Sequence, residues 1–236
     1  MKNILVTGCS RGIGFEIVKS FAKIHKANVL AIARNIDGLR KLEKECYEIN
    51  SEFKLHLLEL DLADTKSTDT VFSYIKEKMN NSLDGIIHNA GFLVKKSFKD
   101  ITYDDLEKSF KINLFSPFIL TQKLMPIFNK ESHVLSISSM GGVQGSQKFP
   151  GLSAYSTSKS TLITLTECLA EEFKKTGFTF NCLALGAVQT EMLSEAFPGY
   201  EAPLSASEMG DFIANFFHDG PKYFNGKLIP ISLTTP

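Results

Sequence analysis

Tryptophan is absent from the 236 residues, and arginine is nearly so: three arginines stand against 23 lysines. Net charge is missing as well, with 26 basic and 26 acidic side chains giving a formal charge of zero. That balance excludes a broad nucleic-acid-binding or polybasic membrane surface. No apolar run approaches the roughly 20 residues that span a bilayer. The start, Met1 to Gly8, lacks the apolar stretch and cleavage site of a signal peptide, so the chain reads as mature protein. Cysteines are few: Cys9, Cys46, Cys168 and Cys182 lie far apart with no CxxC pair. Scattered thiols of this kind predict reduced, structural cysteines and a cytoplasmic location. His25, His56, His133 and His218 have no metal-ligand spacing, so no metal is expected.

What is present is an ordinary soluble composition, 43% hydrophobic and 22% charged, with 19 phenylalanines supplying the aromatic bulk. The length suffices for a sizeable core, and residues 1–236 are expected to form one domain. The zero charge hides an asymmetry. Residues 1–50 carry 9 basic and 5 acidic side chains, and residues 151–236 carry 5 and 9.

Seven short apolar runs, at 3–7, 28–33, 54–60, 85–88, 133–138, 179–184 and 227–231, alternate with amphipathic stretches. Those stretches predict helices over 12–25, 36–49, 65–79, 103–128, 154–175 and 205–217. The alternation predicts an α/β fold: a doubly wound parallel sheet of about seven strands in three αβα layers, Rossmann-type. The segment 188–205 contains Pro198, Gly199 and Pro203 and is the least regular, which predicts a substrate lid.

Gly8, Ser10, Arg11, Gly12, Ile13 and Gly14 follow the first predicted strand and open the first helix. Glycines allow close backbone approach to a pyrophosphate, and a helix N-terminus offers free N–H groups to it. Alone, such a cluster also fits an ordinary turn. The second strand ends at Arg34, where NAD-preferring sites place an acid. A guanidinium there suits a 2′-phosphate, and Arg11 lies in the adjoining loop. NADP(H) is therefore the expected cofactor, with NAD(H) possible.

Tyr155 and Lys159 are four residues apart on a predicted helix, so they share a face. A phenol with a pKa of about 10 needs a nearby cation to act as a base at neutral pH. Alone, the pair also fits an exposed helix surface. It follows Ser138 and Ser139, which end the fifth strand and must face opposite ways.

With these residues in place, the chain resembles a short-chain dehydrogenase/reductase of the compact single-domain type. The landmarks stand in family order: Thr7-Gly8…Gly12-Ile13-Gly14, Asp61-Leu62, Asn89-Ala90-Gly91, Asn113, Ser139, Tyr155…Lys159 and Gly186…Thr190. The resemblance implies that Tyr155 exchanges a proton with a carbonyl or alcohol oxygen and that Ser139 holds the same oxygen. It implies that Lys159 lowers the Tyr155 pKa and binds the nicotinamide ribose, and that Asn113 holds a water leading to Lys159. Asp61 and Leu62 would frame the adenine, and Asn89, Ala90 and Gly91 would line the cofactor. Gly186, Val188 and Thr190 would meet the nicotinamide end.

Departures are His88 in place of an asparagine before Asn89, Leu185 in place of a proline, and a C-terminus without Asp-Gly-Gly. A packed structural role is the simpler reading of His88. The resemblance implies an oxidoreductase for a small-molecule carbonyl/alcohol pair, assembled as a homodimer or homotetramer, with no nucleic acid or membrane partner. The last departure weakens the tetramer. A catalytically silent NADP(H)-binding sensor is the alternative. The substrate stays open among a 3-oxoacyl thioester, a small ketone, a sugar, and a pterin- or steroid-like carbonyl. Lys95, Lys96 and Lys99 form either a solvated face or a dock for an acidic carrier.

Overall fold

A computed structural model describes residues 1–233, so residues 234–236 of the expected domain lie outside the described residues. The chain runs β1 (Lys2–Thr7), α1 (Gly12–Ile24), β2 (Ala27–Ala33), α2 (Ile36–Ile49), β3 (Lys54–Glu59), α3 (Ser67–Lys78) and β4 (Leu83–His88). It continues through α4 (Tyr103–Phe110), α5 (Ser116–Leu124), β5 (Phe128–Ser139), α6 (Ser153–Glu172) and β6 (Thr179–Leu185). Then come β7 (Val188–Gln189), α7 (Glu191–Ala196), β8 (Leu204–Ser205), α8 (Ala206–Asp219) and β9 (Lys227–Ile231).

Seven strands form one parallel sheet in the order β3-β2-β1-β4-β5-β6-β9. The expected doubly wound fold is present. Both faces are buried, and alternation along each strand divides the core. Val6, Val29 and Ala31 join Ile17, Phe21, Leu42, Ile213 and Phe217 of α1, α2 and α8. Leu5, Leu30 and Ile32 join Val71, Ile75, Leu120 and Leu124 of α3 and α5 on the other face. Strand order reverses between β1 and β4, so their C-terminal ends open a crevice there.

Two expectations about elements need correction. The helix expected over 103–128 is two helices joined by a π turn at Lys111–Phe115, where the Ser116 N–H donates to Lys111 C=O. Pro117 has no N–H, so the α-helical bond onto Asn113 C=O cannot form. The segment 188–205 is ordered rather than irregular. β7 and β8 pair in parallel, and the Thr190 hydroxyl caps α7 by accepting from Leu193 N–H at 3.2 Å. The Gln189 side chain ties the segment together, accepting from Ala202 N–H at 2.8 Å.

All four cysteines are unpaired, and Cys168 is the exposed one. Cys9 lies wholly buried with its thiol on Val6 C=O, and burial pushes its pKa up, so the phosphate-loop position does not acidify it. Among the described residues, no helix is long and apolar enough to cross a membrane, and no cluster of three or more His, Cys, Asp or Glu suits a metal.

Candidate active site

The crevice is a cleft of about 1040 Å³ running from the β1–α1 loop to α7. At its floor the loop after β1 is pinned from both sides. Gly8 and Cys9 donate backbone N–H groups to Ile32 C=O at 2.8 and 3.1 Å. The Thr7 hydroxyl accepts from the N–H groups of Asn89 and Ala90, and the Asn89 amide donates to the carbonyls of Thr7 and Gly8. Gly8 has φ +77°, and a Cβ there would lie 2.8 Å from Ala90 Cα. Only glycine fits that close approach.

Asn89 therefore holds the loop in shape as well as lining the cleft. Thr7, the first of the sequence landmarks, shares the task through its hydroxyl. Gly14 does not line the cleft: a Cβ there would lie 2.2 Å from Gly8 C=O, so glycine is needed to seat α1 against the loop. The N-terminus of α1 has no side-chain cap and no acid in its first turn. Its N–H groups and positive end suit an anion.

Ser10, Gly12 and Ile13 line the floor with Gly8. Arg34 and Asp61 face each other across the ends of β2 and β3 at 4.0 Å, with Leu62 beside them. Arg11 lines the cleft as well, with its side chain paired across it. Its guanidinium is 2.8 Å from Glu195 of α7, 184 positions away. Ala90, Gly91, Gly186, Val188 and Thr190 complete this part of the wall.

Beyond it lie Ser139, Tyr155 and Lys159. Strand alternation settles the two serines. Ser138 is buried and donates to Lys159 C=O at 2.8 Å, whereas Ser139 takes the opposite face, hydrogen-bonds Tyr155 and caps the following turn through Gly141 N–H. Lys159 is buried, and its ammonium donates to Ile137 C=O at 2.8 Å. Burial lowers the Lys159 pKa to about 8, against a small opposing effect of Cys182. Gly91 leaves room for that ammonium, since a Cβ there would stand 3.3 Å from it.

The expected lowering of the Tyr155 pKa by Lys159 does not appear. Burial pushes the phenol up to about 12, and the Ser139 hydrogen bond opposes this only in part. The ammonium is engaged on Ile137 instead. Asn113 is fully buried behind the wall. Its amide donates to Phe92 C=O and the Ser158 hydroxyl, and its side-chain oxygen accepts from Phe92 N–H. Both amide protons are thus engaged. His88 is also buried, 2.8 Å from the Thr121 hydroxyl, with its pKa pushed down to about 3 by burial. It is a neutral packing residue.

Two of the three lysines at 95–99 are committed. Lys96 pairs with Asp105 at 2.6 Å. Lys95 donates to Ala196 C=O at the end of α7 at 2.8 Å and lies 4.0 Å over the Phe197 ring. Neither the Lys95–Ala196 nor the Arg11–Glu195 contact is legible in the sequence, because each joins residues more than a hundred positions apart.

Comparison with known proteins places this architecture. Residues 2–201 match the family model described as short chain dehydrogenase. The chain is 29% identical over 199 residues to an NADP-dependent 3-hydroxy acid dehydrogenase of Schizosaccharomyces pombe, covering 84% of this chain and 76% of that protein. A short-chain dehydrogenase/reductase from Serratia marcescens superposes with TM-score 0.86 at 25% identity, covering 98% of this chain and 96% of that one. A short chain dehydrogenase from Burkholderia cenocepacia, solved in complex with NADP, gives TM-score 0.87 at 23% identity over 98% and 96% of the two chains.

Proposed function

The chain belongs to the short chain dehydrogenase family, enzymes that act on the CH–OH/C=O pair, and from that premise we propose that it is an NADP(H)-dependent carbonyl reductase working through Tyr155. The observation that carries the reading is the single cleft joining the glycine loop to Ser139, Tyr155 and Lys159. The uncapped start of α1 would hold the pyrophosphate, and Arg34 the 2′-phosphate. Asp61 and Leu62 would frame the adenine, and Gly186, Val188 and Thr190 the nicotinamide end. The names of the NADP-dependent and NADP-bound relatives support the choice of cofactor.

When bound, the nicotinamide supplies the hydride. Ser139 would polarise the substrate carbonyl. Tyr155, neutral at pH 7 with its pKa at about 12, would donate the proton that completes the alcohol. Lys159 would hold the ribose. The water path to Lys159 would run by Asn113 C=O, which Pro117 leaves without its usual helical donor.

We place residues 188–205 as the lid of one catalytic domain. Phe115, Phe118 and Ile119 are exposed beside and on α5 and support a homo-oligomer. Four unpaired thiols support a reducing, cytoplasmic setting.

The test is NADPH and NADH oxidation against a carbonyl panel. Tyr155→Phe is expected to lower kcat by about 100-fold or more while NADPH still binds. Tight NADPH binding with no carbonyl reduced by the wild type would instead establish a silent sensor.

A further inference from the structure

The cleft continues past Tyr155, and its far wall differs in character from the cofactor end. Among the described residues that line the cleft, the cations are Arg11, Arg34 and Lys159, all at the glycine loop, the adenine end or beneath Tyr155. The far wall carries Leu93, Gln147, Phe149, Met192, Phe197 and Tyr200. Phe149 comes from the loop before α6 and Phe197 from the end of α7, and their rings meet edge-on with centroids 6.2 Å apart. They make an aromatic corner shared between the body of the protein and its lid.

Lys95 is not among the lining residues: its ammonium stands over the Phe197 ring at 4.0 Å and donates to Ala196 C=O. The acid that borders the cleft, Glu191, is at the cofactor end, with a carboxylate oxygen 3.5 Å from where a Cβ of Gly12 would stand.

A substrate carboxylate or phosphate would lose hydration here and find no cation on the lining, with the Lys95 ammonium already held by Ala196 C=O and the Phe197 face. A polyol would leave several hydroxyls facing phenyl and thioether groups, with Gln147 and Tyr200 as the few partners. A hydrocarbon ring, by contrast, packs against an aromatic corner at full benefit.

We propose that the substrate is an uncharged ketone carrying a hydrocarbon ring, reduced to its secondary alcohol, with the ring seated in the corner formed by Phe149 and Phe197. This rests on the reductase reading above. Hydride adds to the carbonyl carbon and the Tyr155 proton to the oxygen, and NADPH leaves as NADP⁺.

The test compares 4-methylcyclohexanone with 4-oxocyclohexanecarboxylate, a matched pair differing in the charged group, by NADPH oxidation at pH 7. The neutral ketone should show kcat/KM higher by about tenfold or more. Phe197→Ala and, separately, Phe149→Ala should raise KM for the neutral ketone about fivefold or more, with NADPH affinity and melting temperature retained. Equal or better turnover of the carboxylate overturns the proposal. Loss of that turnover in Lys95→Gln would then identify Lys95 as a carboxylate receptor. Unchanged KM in both phenylalanine variants overturns it too. No turnover of either compound, with NADPH bound, overturns the reductase reading and this substrate class with it.

Discussion

His88 and His133 are buried neutral, and that has a cost at low pH. Burial pushes His88 to about 3 and His133 to about 4, both from 6.5. Below pH 6.5 the unfolded chain binds protons that the folded chain refuses. Stability from these groups is therefore complete above 6.5 and is lost as pH falls toward 4 and then 3. At pH 4, His88 alone should remove roughly 3 kcal/mol. Urea unfolding at pH 7 and pH 4 should show a steep loss in the wild type and a shallower one in His88→Asn/His133→Asn. The same two residues mark what a sequence conceals. His88 stood out only as a departure from a pattern, and nothing local marked His133. Their neighbours, Thr121 and Phe217 C=O, arrive from 33 and 84 positions away.

The elements were legible to the extent that periodicity writes them. Alternating and continuous apolar runs marked all seven strands of the main sheet, because the central strands are buried by helices on both sides and the edge strands β3 and β9 are still partly covered. The π turn at Lys111–Phe115 was not legible. Its backbone is helical at its flanks, and the apolar stripe runs through it, with Pro117 as the single hint. Yet this turn is what presents Asn113 to Phe92 and Ser158. Asn113→Ala would take their partner from the backbone N–H and C=O of half-buried Phe92 and from the buried Ser158 hydroxyl. It should cost roughly 3 kcal/mol by urea unfolding and lower kcat as well, whereas Phe115→Ala in the same turn should leave kcat unchanged. The segment 188–205 was legible as an interruption and not as a structure. Its Pro and Gly residues signalled an interruption, but the pairing of Val188 with Leu204 is a contact between its two ends that no local pattern encodes.

At the scale of the whole molecule, the glycine loop, Arg34, Asp61, Asn89 and Ser139 were readable because they sit at strand ends, and Tyr155 and Lys159 because they share a helix face. One sheet then gathers those ends around the reversal between β1 and β4. The charge asymmetry follows the same map. The first 50 residues hold Arg11 and Arg34 at the cleft, and the last 86 hold Glu191 and Glu195 above it. Arg34→Ala should lower the NADPH-over-NADH ratio of kcat/KM by about tenfold or more, read from initial rates with each nucleotide, because the 2′-phosphate loses a charged partner. Arg11, in contrast, already has an anion in Glu195. Under the reductase proposal a nucleotide phosphate would compete with Glu195 for the Arg11 guanidinium, which now ties the glycine loop to α7. Such competition would put turnover in a sequence in time: nucleotide first, ketone second, alcohol released before NADP⁺. Product-inhibition patterns should follow that ordered scheme in the wild type and become random in Glu195→Gln. A random pattern in both would mean that the ion pair has no part in the timing.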